Sequence, residues 1–196
     1  VTDIANAIYS YTDALMLSGE TASGKYPLEA VKTMAAIAEQ AEKDRNAMGE
    51  WEVPMSENCS QREFLAHAAI DATRRIGVAG IITDSLTGET VRHLAAFRGP
   101  NPVLAICYKE KTQRWLNLSY GVIPIHQKEQ ASAEYMFIAA LRMLRQKGYI
   151  TLNDKIAYLS GSFGLGNPTG TTFLEINKVS QVFDKSYEFH LPQKEQ

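Results

Sequence analysis

From residue 60 onward, the sequence alternates short apolar runs with longer segments of helical periodicity. The apolar runs have the length of buried strands, and the segments between them repeat apolar residues at helical spacing. The predicted strands are 78–83, 103–107, 121–125, 155–160 and 171–176. The predicted helices between them are 88–97, 111–118 and 131–147. This order favours a three-layer α/β/α domain on a mostly parallel five-stranded sheet, with ligand loops at the carboxyl ends of the strands.

Two further elements flank this alternation. A helix is predicted to begin at Ser60, because Ser60 and Glu63 form a Ser-x-x-Glu capping box ahead of an apolar stripe. Gly77 is predicted to end that helix. The tail is predicted to add an edge strand near residues 187–191. The α/β domain is therefore expected to occupy residues 60–196.

The first 45 residues form a separate helix–strand–loop–helix pattern. Apolar residues at helical spacing run to about residue 11, and the apolar run 13–17 is interpreted as a buried strand. A second helix is predicted from Pro27 to about Glu42. A single unit of this kind cannot close a sheet, and the chain begins at Val1 instead of a methionine. We therefore expect further sequence upstream, and a linker at 46–59.

Composition and charge exclude several function classes. The 196 residues include 20 Lys and Arg and 22 Asp and Glu, and the net charge of −2 gives no electrostatic footprint for nucleic acid. No apolar run approaches the ~18 residues of a membrane span. The two cysteines are too few for a disulfide framework, and the four histidines show no metal-ligand spacing. The sequence predicts a cytoplasmic protein with no metal site of its own.

The first candidate site follows the predicted strand 13–17. This strand would deliver the Ser18 hydroxyl and the Glu20 carboxylate into a loop of small residues, where the pair can hold a water molecule and relay a proton. The alternative is a loop in which both residues cap the next helix. An overlapping near-match to a P-loop is interpreted as a coincidence, because Tyr26 stands where Ser or Thr must reach Mg²⁺.

The second candidate site follows the predicted strand 78–83 and opens a helix. Its members are Ser85, Thr87, Gly88 and Thr90. Their three hydroxyls and the free N–H groups of a helix N-terminus would form an anion cradle suited to phosphate. Glu89 complicates this interpretation, because its carboxylate repels phosphate. The alternative is that Thr87 is a plain N-cap.

The third candidate site is the glycine-rich segment 160–172. Its four glycines let the backbone approach a ligand closely. The pair Gly164 and Gly166 does not complete a dinucleotide-binding fingerprint and does not open a helix. The alternative is a tight loop between two strands.

Long stretches of the sequence resemble pyruvate kinase. The matches near the start are Val1-Thr-Asp-Ile-Ala-Asn-Ala7, Asp13-Ala-Leu-Met-Leu-Ser-Gly-Glu-Thr-Ala22 and Gly24-Lys-Tyr-Pro-Leu-Glu-Ala-Val31. The later matches are Ser85-Leu-Thr-Gly-Glu-Thr90, Phe97-Arg98, Gly121-Val122-Ile-Pro124, Gly148 and residues 166–176. The resemblance implies that residues 1–45 end a catalytic (β/α)8 barrel and that residues 60–196 form the family's regulatory C-terminal domain.

The resemblance also implies an activity that this chain alone would lack. Family members transfer a phosphoryl group from phosphoenolpyruvate to ADP with Mg²⁺ and usually K⁺, and the full enzyme is a homo-oligomer, typically a tetramer. Ser18 and Glu20 would take part in the proton relay to enolpyruvate through water. The family's basic residues and metal ligands belong to earlier barrel strands, so this chain would bind no cofactor. The alternative is a stand-alone domain that senses a phosphorylated metabolite.

By the same resemblance, the second and third candidate sites bind an allosteric effector. Ser85, Thr87, Gly88 and Thr90 match the loop that grips a sugar phosphate, and Gly164, Gly166, Thr169 and Gly170 belong to the loop that closes over it. Members that respond to fructose-1,6-bisphosphate often carry basic residues where this chain has Leu86, Glu89 and Met136. A doubly charged effector would lack its counter-charges. We therefore expect a monophosphorylated sugar, a nucleotide monophosphate or no effector.

Overall fold

The computed structural model describes residues 1–48, 53–128, 133–160 and 173–188. The chain divides into two units, Val1–Val53 and Pro54–Gln196. Each unit has its own set of helices, and the sheet belongs entirely to the second unit.

The first unit is helical throughout its described secondary structure. Its helices are α1 (Thr2–Tyr9), α2 (Gly19–Ala22) and α3 (Pro27–Ala47). The Arg45 guanidinium of α3 donates a hydrogen bond of 3.3 Å to the carbonyl oxygen of Ile8 and lies over the ring of Tyr11. These two contacts tie the end of α3 to the end of α1.

The predicted strand at 13–17 is wrong. Residues 13–17 form no strand, and Met16 is 85% exposed. A strand needs a neighbour to pair with its backbone N–H and C=O groups, and the described residues of this unit supply none. The helix that follows begins at Pro27 as predicted, but it continues past Glu42 to Ala47.

The second unit is built on a five-stranded sheet in the order β3-β2-β1-β4-β5. The strands are β1 (Gly80–Ser85), β2 (Val103–Cys107), β3 (Val122–His126), β4 (Lys155–Ser160) and β5 (Phe173–Lys178). Neighbouring strands are parallel except for the pair β4 and β5, which is antiparallel. The prediction of a mostly parallel five-stranded sheet is confirmed.

Helices cover both faces of this sheet, which confirms the three-layer prediction. They are α4 (Gln61–Arg75), α5 (Glu89–Ala96), α6 (Glu110–Leu116), α7 (Ala133–Gln146) and α8 (Val179–Glu188). The predicted cap of α4 is present in part, since the Ser60 hydroxyl accepts the Glu63 N–H at 3.2 Å. The Glu63 carboxylate does not complete the box, because it accepts hydrogen bonds from Ser56.

The edge strand predicted near 187–191 is wrong where the structure describes it. Residues 187 and 188 belong to α8, and residues 189–191 lie outside the described residues. Val179, Val182 and Phe183 pack against the core at helical spacing, which favours a helix over a strand.

A hydrophobic core lies between the sheet and α7. Ile82 and Leu104 of the sheet pack there with Leu141 and Leu144 of α7, and all four side chains are fully buried. Successive residues of a strand point to opposite faces, so the residue two places after Ile82 also faces this side. That residue is Asp84.

Candidate functional site

The sheet topology indicates one candidate ligand site, at the carboxyl ends of two neighbouring strands. The chain leaves β1, adds β2 and β3 on one side, and then returns to place β4 on the other side of β1. In open α/β sheets, ligands bind at the carboxyl ends of the strands where the strand order reverses in this way. We call this position the switch point, formed by the ends of β1 and β4 at Asp84, Ser85 and Ser160. The second and third candidate loops both begin here.

The two central strands part at the switch point. Backbone pairing between β1 and β4 ends at Thr83 and Leu159, although each strand pairs further with its other neighbour. Beyond that point, a side-chain contact takes over, because the Ser160 hydroxyl donates a hydrogen bond to the Asp84 carboxylate. An acidic side chain therefore lies where the strands separate.

The Asp84 carboxylate is largely buried and hydrogen-bonded. Burial raises its pKa, and hydrogen bonds from the Ser160 hydroxyl, from its own backbone N–H and from the Tyr158 hydroxyl oppose that rise. Burial and the nearby Asp84 charge likewise raise the pKa of Tyr158, whose ring stacks on Phe137 at a centroid distance of 4.0 Å. The group is thus a fixed hydrogen-bond acceptor in a poorly hydrated position.

The loop after β1 is a tight turn that leaves the N-terminus of α5 without a side-chain cap. The Ser85 hydroxyl accepts the Gly88 N–H at 2.7 Å, and Gly88 adopts a φ of +84°. Gly88 occupies the N-cap position of α5, so the exposed Thr87 is not the cap that the alternative interpretation required. The N-cap residue of α5 therefore contributes no side-chain hydrogen bond to the first helical turn.

Helix α6 holds this loop in place. The Thr112 hydroxyl donates a hydrogen bond of 2.9 Å to the carbonyl oxygen of Leu86. The backbone of Gly88 packs so closely on α6 that an added Cβ would lie 3.1 Å from Cδ2 of Leu116. The turn is consequently positioned by the fold before any ligand arrives.

Two arginines lie on the helices beside this loop. Arg62 of α4 forms an ion pair with Glu89, the residue whose carboxylate was expected to repel phosphate. Arg92 of α5 lies over the ring of Trp115 at 4.7 Å. The ion pair reduces the repulsion that Glu89 alone would exert on a phosphate.

Ser18 and Glu20 lie at the exposed start of α2. The Glu20 carboxylate accepts the backbone N–H of Ser18 at 3.1 Å. Hydrogen bonds from the N–H groups of Glu20 and Ser18 lower the pKa of Glu20, which favours its ionised form at neutral pH. The Ser18 side chain makes no cap hydrogen bond to α2. In this arrangement, the Glu20 side chain interacts with the helix start.

The described residues include only some of the predicted site residues. Gly164, Gly166, Thr169 and Gly170 lie outside the described residues. Met136, which stands about where some relatives carry an arginine, is half-buried, and its carbonyl oxygen accepts a hydrogen bond of 2.9 Å from the Gln127 side chain.

Sequence reasoning assigned no individual role to Asp84 or Ser160, although both lie in or beside candidate segments, and it did not single out Arg62. A signal for Asp84 was available, because it is the charged residue within an otherwise uncharged, buried strand. Its pairing with Ser160 joins residues 76 positions apart, so no local pattern could predict it.

Neither a metal-binding cluster nor a membrane-spanning helix occurs within the described ranges. Within residues 1–48, 53–128, 133–160 and 173–188, no three His, Cys, Asp or Glu side chains gather where they could hold a metal ion. Every helix in these ranges is too short or too polar to span a lipid bilayer.

The chain matches known proteins along most of its length. A family model described as "Pyruvate kinase, alpha/beta domain" matches residues 63–176, and one described as "Pyruvate kinase, barrel domain" matches residues 1–31. The pyruvate kinase of Borreliella burgdorferi is 39% identical over 184 residues, and that of Clostridium acetobutylicum is 36% identical over 174 residues. These alignments cover 93% and 87% of this chain, but only 38% and 36% of the relatives.

A solved structure agrees with these matches. The crystal structure of a pyruvate kinase from Cryptosporidium parvum has a TM-score of 0.74 to this chain at 26% identity. The alignment covers 91% of this chain and 35% of the other. Because the α/β-domain model alone matches more than half of the residues, the chain belongs to the pyruvate kinase family.

Proposed function

We propose that this chain is the C-terminal part of a pyruvate kinase. The full-length enzyme transfers a phosphoryl group from phosphoenolpyruvate to ADP in cytoplasmic glycolysis. The supporting observation is that the barrel model and the α/β-domain model match the chain one after the other, at 1–31 and 63–176. Residues 1–45 end the barrel, residues 46–59 are the linker, and residues 60–196 are the regulatory domain.

The chain by itself is inactive. Phosphoryl transfer depends on basic residues and metal ions that stabilise the transferring group, and pyruvate kinases use Mg²⁺ and K⁺ for this. By the family resemblance, the residues that hold these ions belong to barrel strands that precede the matched segment 1–31. A coupled pyruvate assay of this chain beside the full-length enzyme tests the point. Turnover by the chain alone would overturn it.

In the full-length enzyme, Ser18 and Glu20 orient the water that protonates enolpyruvate. The lowered pKa of Glu20 makes its carboxylate a poor proton donor, so its role is to accept a hydrogen bond from that water. Glu20→Gln should lower kcat more than it raises KM for phosphoenolpyruvate, since the relay acts after binding. Glu29→Gln, an exposed acid in the first turn of α3, is the matched control. Equal losses in both parameters would contradict the role.

The loop after β1, which begins at the switch point, binds the phosphate of an effector. Ser85, Thr87, Gly88 and Thr90 hold the phosphate at the N-terminus of α5, and Gly164, Gly166, Thr169 and Gly170 close over it. Three observations support this proposal: the reversal of strand order, the missing side-chain cap of α5 and the ion pair of Glu89 with Arg62. The effector carries one phosphate, and fructose-1,6-bisphosphate is not the ligand.

Titration calorimetry tests this site directly. The probes are inorganic phosphate, fructose-1,6-bisphosphate, glucose-6-phosphate, ribose-5-phosphate and AMP. Thr87→Ala and Thr90→Ala should each weaken phosphate binding about fivefold, the equivalent of ~1 kcal/mol for a hydrogen bond to a charged group. Thr151→Ala is the matched control, because Thr151 is exposed and lies before the amino end of β4, away from the carboxyl ends of the strands. Titration curves that neither variant changes would contradict the proposal.

A second candidate function is a stand-alone sensor of phosphorylated metabolites. It is favoured by the second unit, which has its own core and carries the whole switch point. The sequence upstream of Val1 separates the two candidates, because a complete barrel supports the enzyme. In both cases the protein is a homo-oligomer, a tetramer for the full enzyme. Light scattering on this chain would show whether the chain assembles by itself.

A further inference from the structure

The loop that carries Ser18 and Glu20 closes on itself at Gly24. Gly24 is exposed to solvent, yet a Cβ added there would overlap the carbonyl oxygen of Glu20 and would lie 2.9 Å from its carbonyl carbon. Carbon atoms in contact normally stay about 3.5–4.0 Å apart, so any side chain would force the two backbone segments apart. Of the glycines that the structure describes, Gly24 is the one whose added Cβ would clash with backbone instead of a side chain. The missing side chain therefore lets the chain return over the residue that carries the carboxylate.

Three donors converge on the carbonyl oxygen of Ser18. The backbone N–H groups of Thr21 and Ala22 donate to it at 3.2 Å and 2.9 Å, and the Thr21 hydroxyl donates at 3.2 Å. Threonine hydroxyls often bond three residues back in helices, so this contact alone is an ordinary local feature. Here, however, the residue that it holds is the one whose backbone N–H binds the Glu20 carboxylate. The Thr21 hydroxyl thus acts on the partner of Glu20.

The position of the Glu20 carboxylate depends on the backbone of this loop. The carboxylate accepts the Ser18 N–H at 3.1 Å, which is close to the upper limit of about 3.2 Å for a good N–H···O bond. The lowered pKa of Glu20 comes from hydrogen bonds of its own N–H and of the Ser18 N–H. Because the side chain is exposed, packing does not hold it in place when these bonds lengthen. A small shift of either backbone segment would therefore release the carboxylate.

We propose that Gly24 and Thr21 are positioning residues for Glu20. The missing side chain of Gly24 fixes the backbone of Glu20, and the Thr21 hydroxyl fixes Ser18, so that the carboxylate stays where it orients a water molecule. This inference rests on the proposed proton relay of Glu20. It deepens that role by assigning the geometry of the carboxylate to two residues that act through the loop backbone.

An NMR titration of the glutamate carboxyl groups in this chain tests the positioning directly, with the Glu20 signal assigned by Glu20→Gln. Gly24→Ala should raise the pKa of Glu20 toward its ordinary value of 4.5, because both N–H donors move away from the carboxylate. Gly19→Ala is the matched control, since Gly19 begins α2 and nothing lies within 4 Å of its added Cβ. It should leave the pKa unchanged. The charged neighbours Lys25 and Glu29 are the same in every variant, so they do not account for a difference.

Thr21→Val tests the same inference without a steric clash, so it also serves if Gly24→Ala does not fold. It keeps the shape of the side chain and removes the hydroxyl. The pKa of Glu20 should rise in Thr21→Val and should keep the wild-type value in Thr21→Ser, which retains the hydroxyl. Far-UV circular dichroism and a urea midpoint verify that each variant is folded. An unchanged pKa in both Gly24→Ala and Thr21→Val, or an equal rise in Gly19→Ala, would overturn the inference.

Kinetics of the full-length enzyme connect this geometry to the reaction. A displaced carboxylate in Gly24→Ala should lower kcat about tenfold, while KM for phosphoenolpyruvate changes less than about twofold, because the relay acts after binding. Gly19→Ala should keep the wild-type kcat. A raised pKa of Glu20 in Gly24→Ala without a loss of kcat would overturn the inference, and so would equal losses in kcat and KM.

The inference can fail separately from the proposed relay. A lowered kcat in Glu20→Gln, beside an unchanged kcat and an unchanged Glu20 pKa in Gly24→Ala, would retain the relay and refute the role of Gly24. An unchanged kcat in Glu20→Gln would refute the relay, and the positioning for that reaction would fall with it.

Discussion

Replacing Gly88 by alanine tests whether the fold positions the turn at the switch point. Gly88 has a φ of +84°, a left-handed conformation that disfavours every residue with a Cβ. The new Cβ would also lie 3.1 Å from Cδ2 and 3.4 Å from Cγ of Leu116. Leu116 is fully buried, so it cannot move into solvent to relieve the contact. The substitution therefore combines backbone strain with overpacking.

The two contributions can be estimated separately. A left-handed residue with a Cβ costs about 1–2 kcal/mol, and overpacking a close contact costs about 1–3 kcal/mol. We expect Gly88→Ala to lower the free energy of unfolding by roughly 2–5 kcal/mol. Gly148→Ala is the matched control, because Gly148 has a φ of +76° and nothing within 4 Å of its added Cβ. It should lose only the strain, about 1–2 kcal/mol.

Urea unfolding followed by tryptophan fluorescence measures both variants. The chain has two tryptophans, and Cζ3 of Trp115 would lie 3.5 Å from the added Cβ. A Trp51→Phe background makes Trp115 the single reporter. Equal losses for Gly88→Ala and Gly148→Ala, within about 0.5 kcal/mol, would refute the idea that contact with Leu116 positions the turn. A larger loss for Gly88→Ala would support it.

Three further predictions concern the second unit. Leu141→Ala should destabilise it by about 2–5 kcal/mol, because the side chain is fully buried between α7 and the sheet; chemical denaturation measures this, and a loss below 1 kcal/mol would contradict the packing. Ser60→Ala should cost about 1 kcal/mol through the lost N-cap, whereas Ser56→Ala should cost less. Because burial raises the pKa of Asp84, ionisation of this group opposes folding, and that cost grows as the pH rises from the ordinary value of 3.8 through the folded-state pKa. Asp84→Asn should therefore raise Tm at neutral pH and leave it nearly unchanged well below pH 3.8, and a constant difference across the range would contradict this.

The elements that the sequence predicted best are those whose signals are local. Strands β2 and β4 have the predicted bounds, because each is a short apolar run between polar or turn-forming residues. The N-cap of α4 at Ser60 and the start of α3 at Pro27 follow from the chemistry of a helix N-terminus. For each of these, the nearest few residues were sufficient.

The two strands that were predicted wrongly show the limit of local signals. Residues 13–17 have the composition of a strand but no neighbour to pair with among the described residues of the first unit. Residues 187 and 188 are helical, because Val179, Val182 and Phe183 pack on the core earlier in the same segment. In the first segment a pairing partner is missing among the described residues, and in the second the packing of the helix on the core outweighed the local preference.

The candidate site likewise combines features that adjacent residues encode with contacts that only the fold creates. The sequence by itself determined the turn after β1, the phosphate-compatible hydroxyls and the family, since each is a property of adjacent residues. Only the tertiary structure decided that the chain returns across β1 to β4, which places Asp84 against Ser160, and that α4 packs on α5, which places Glu89 against Arg62. The physical reason is that charges and hydrogen bonds act through space. The partner of a buried group is set by strand order and register, which local preferences do not encode.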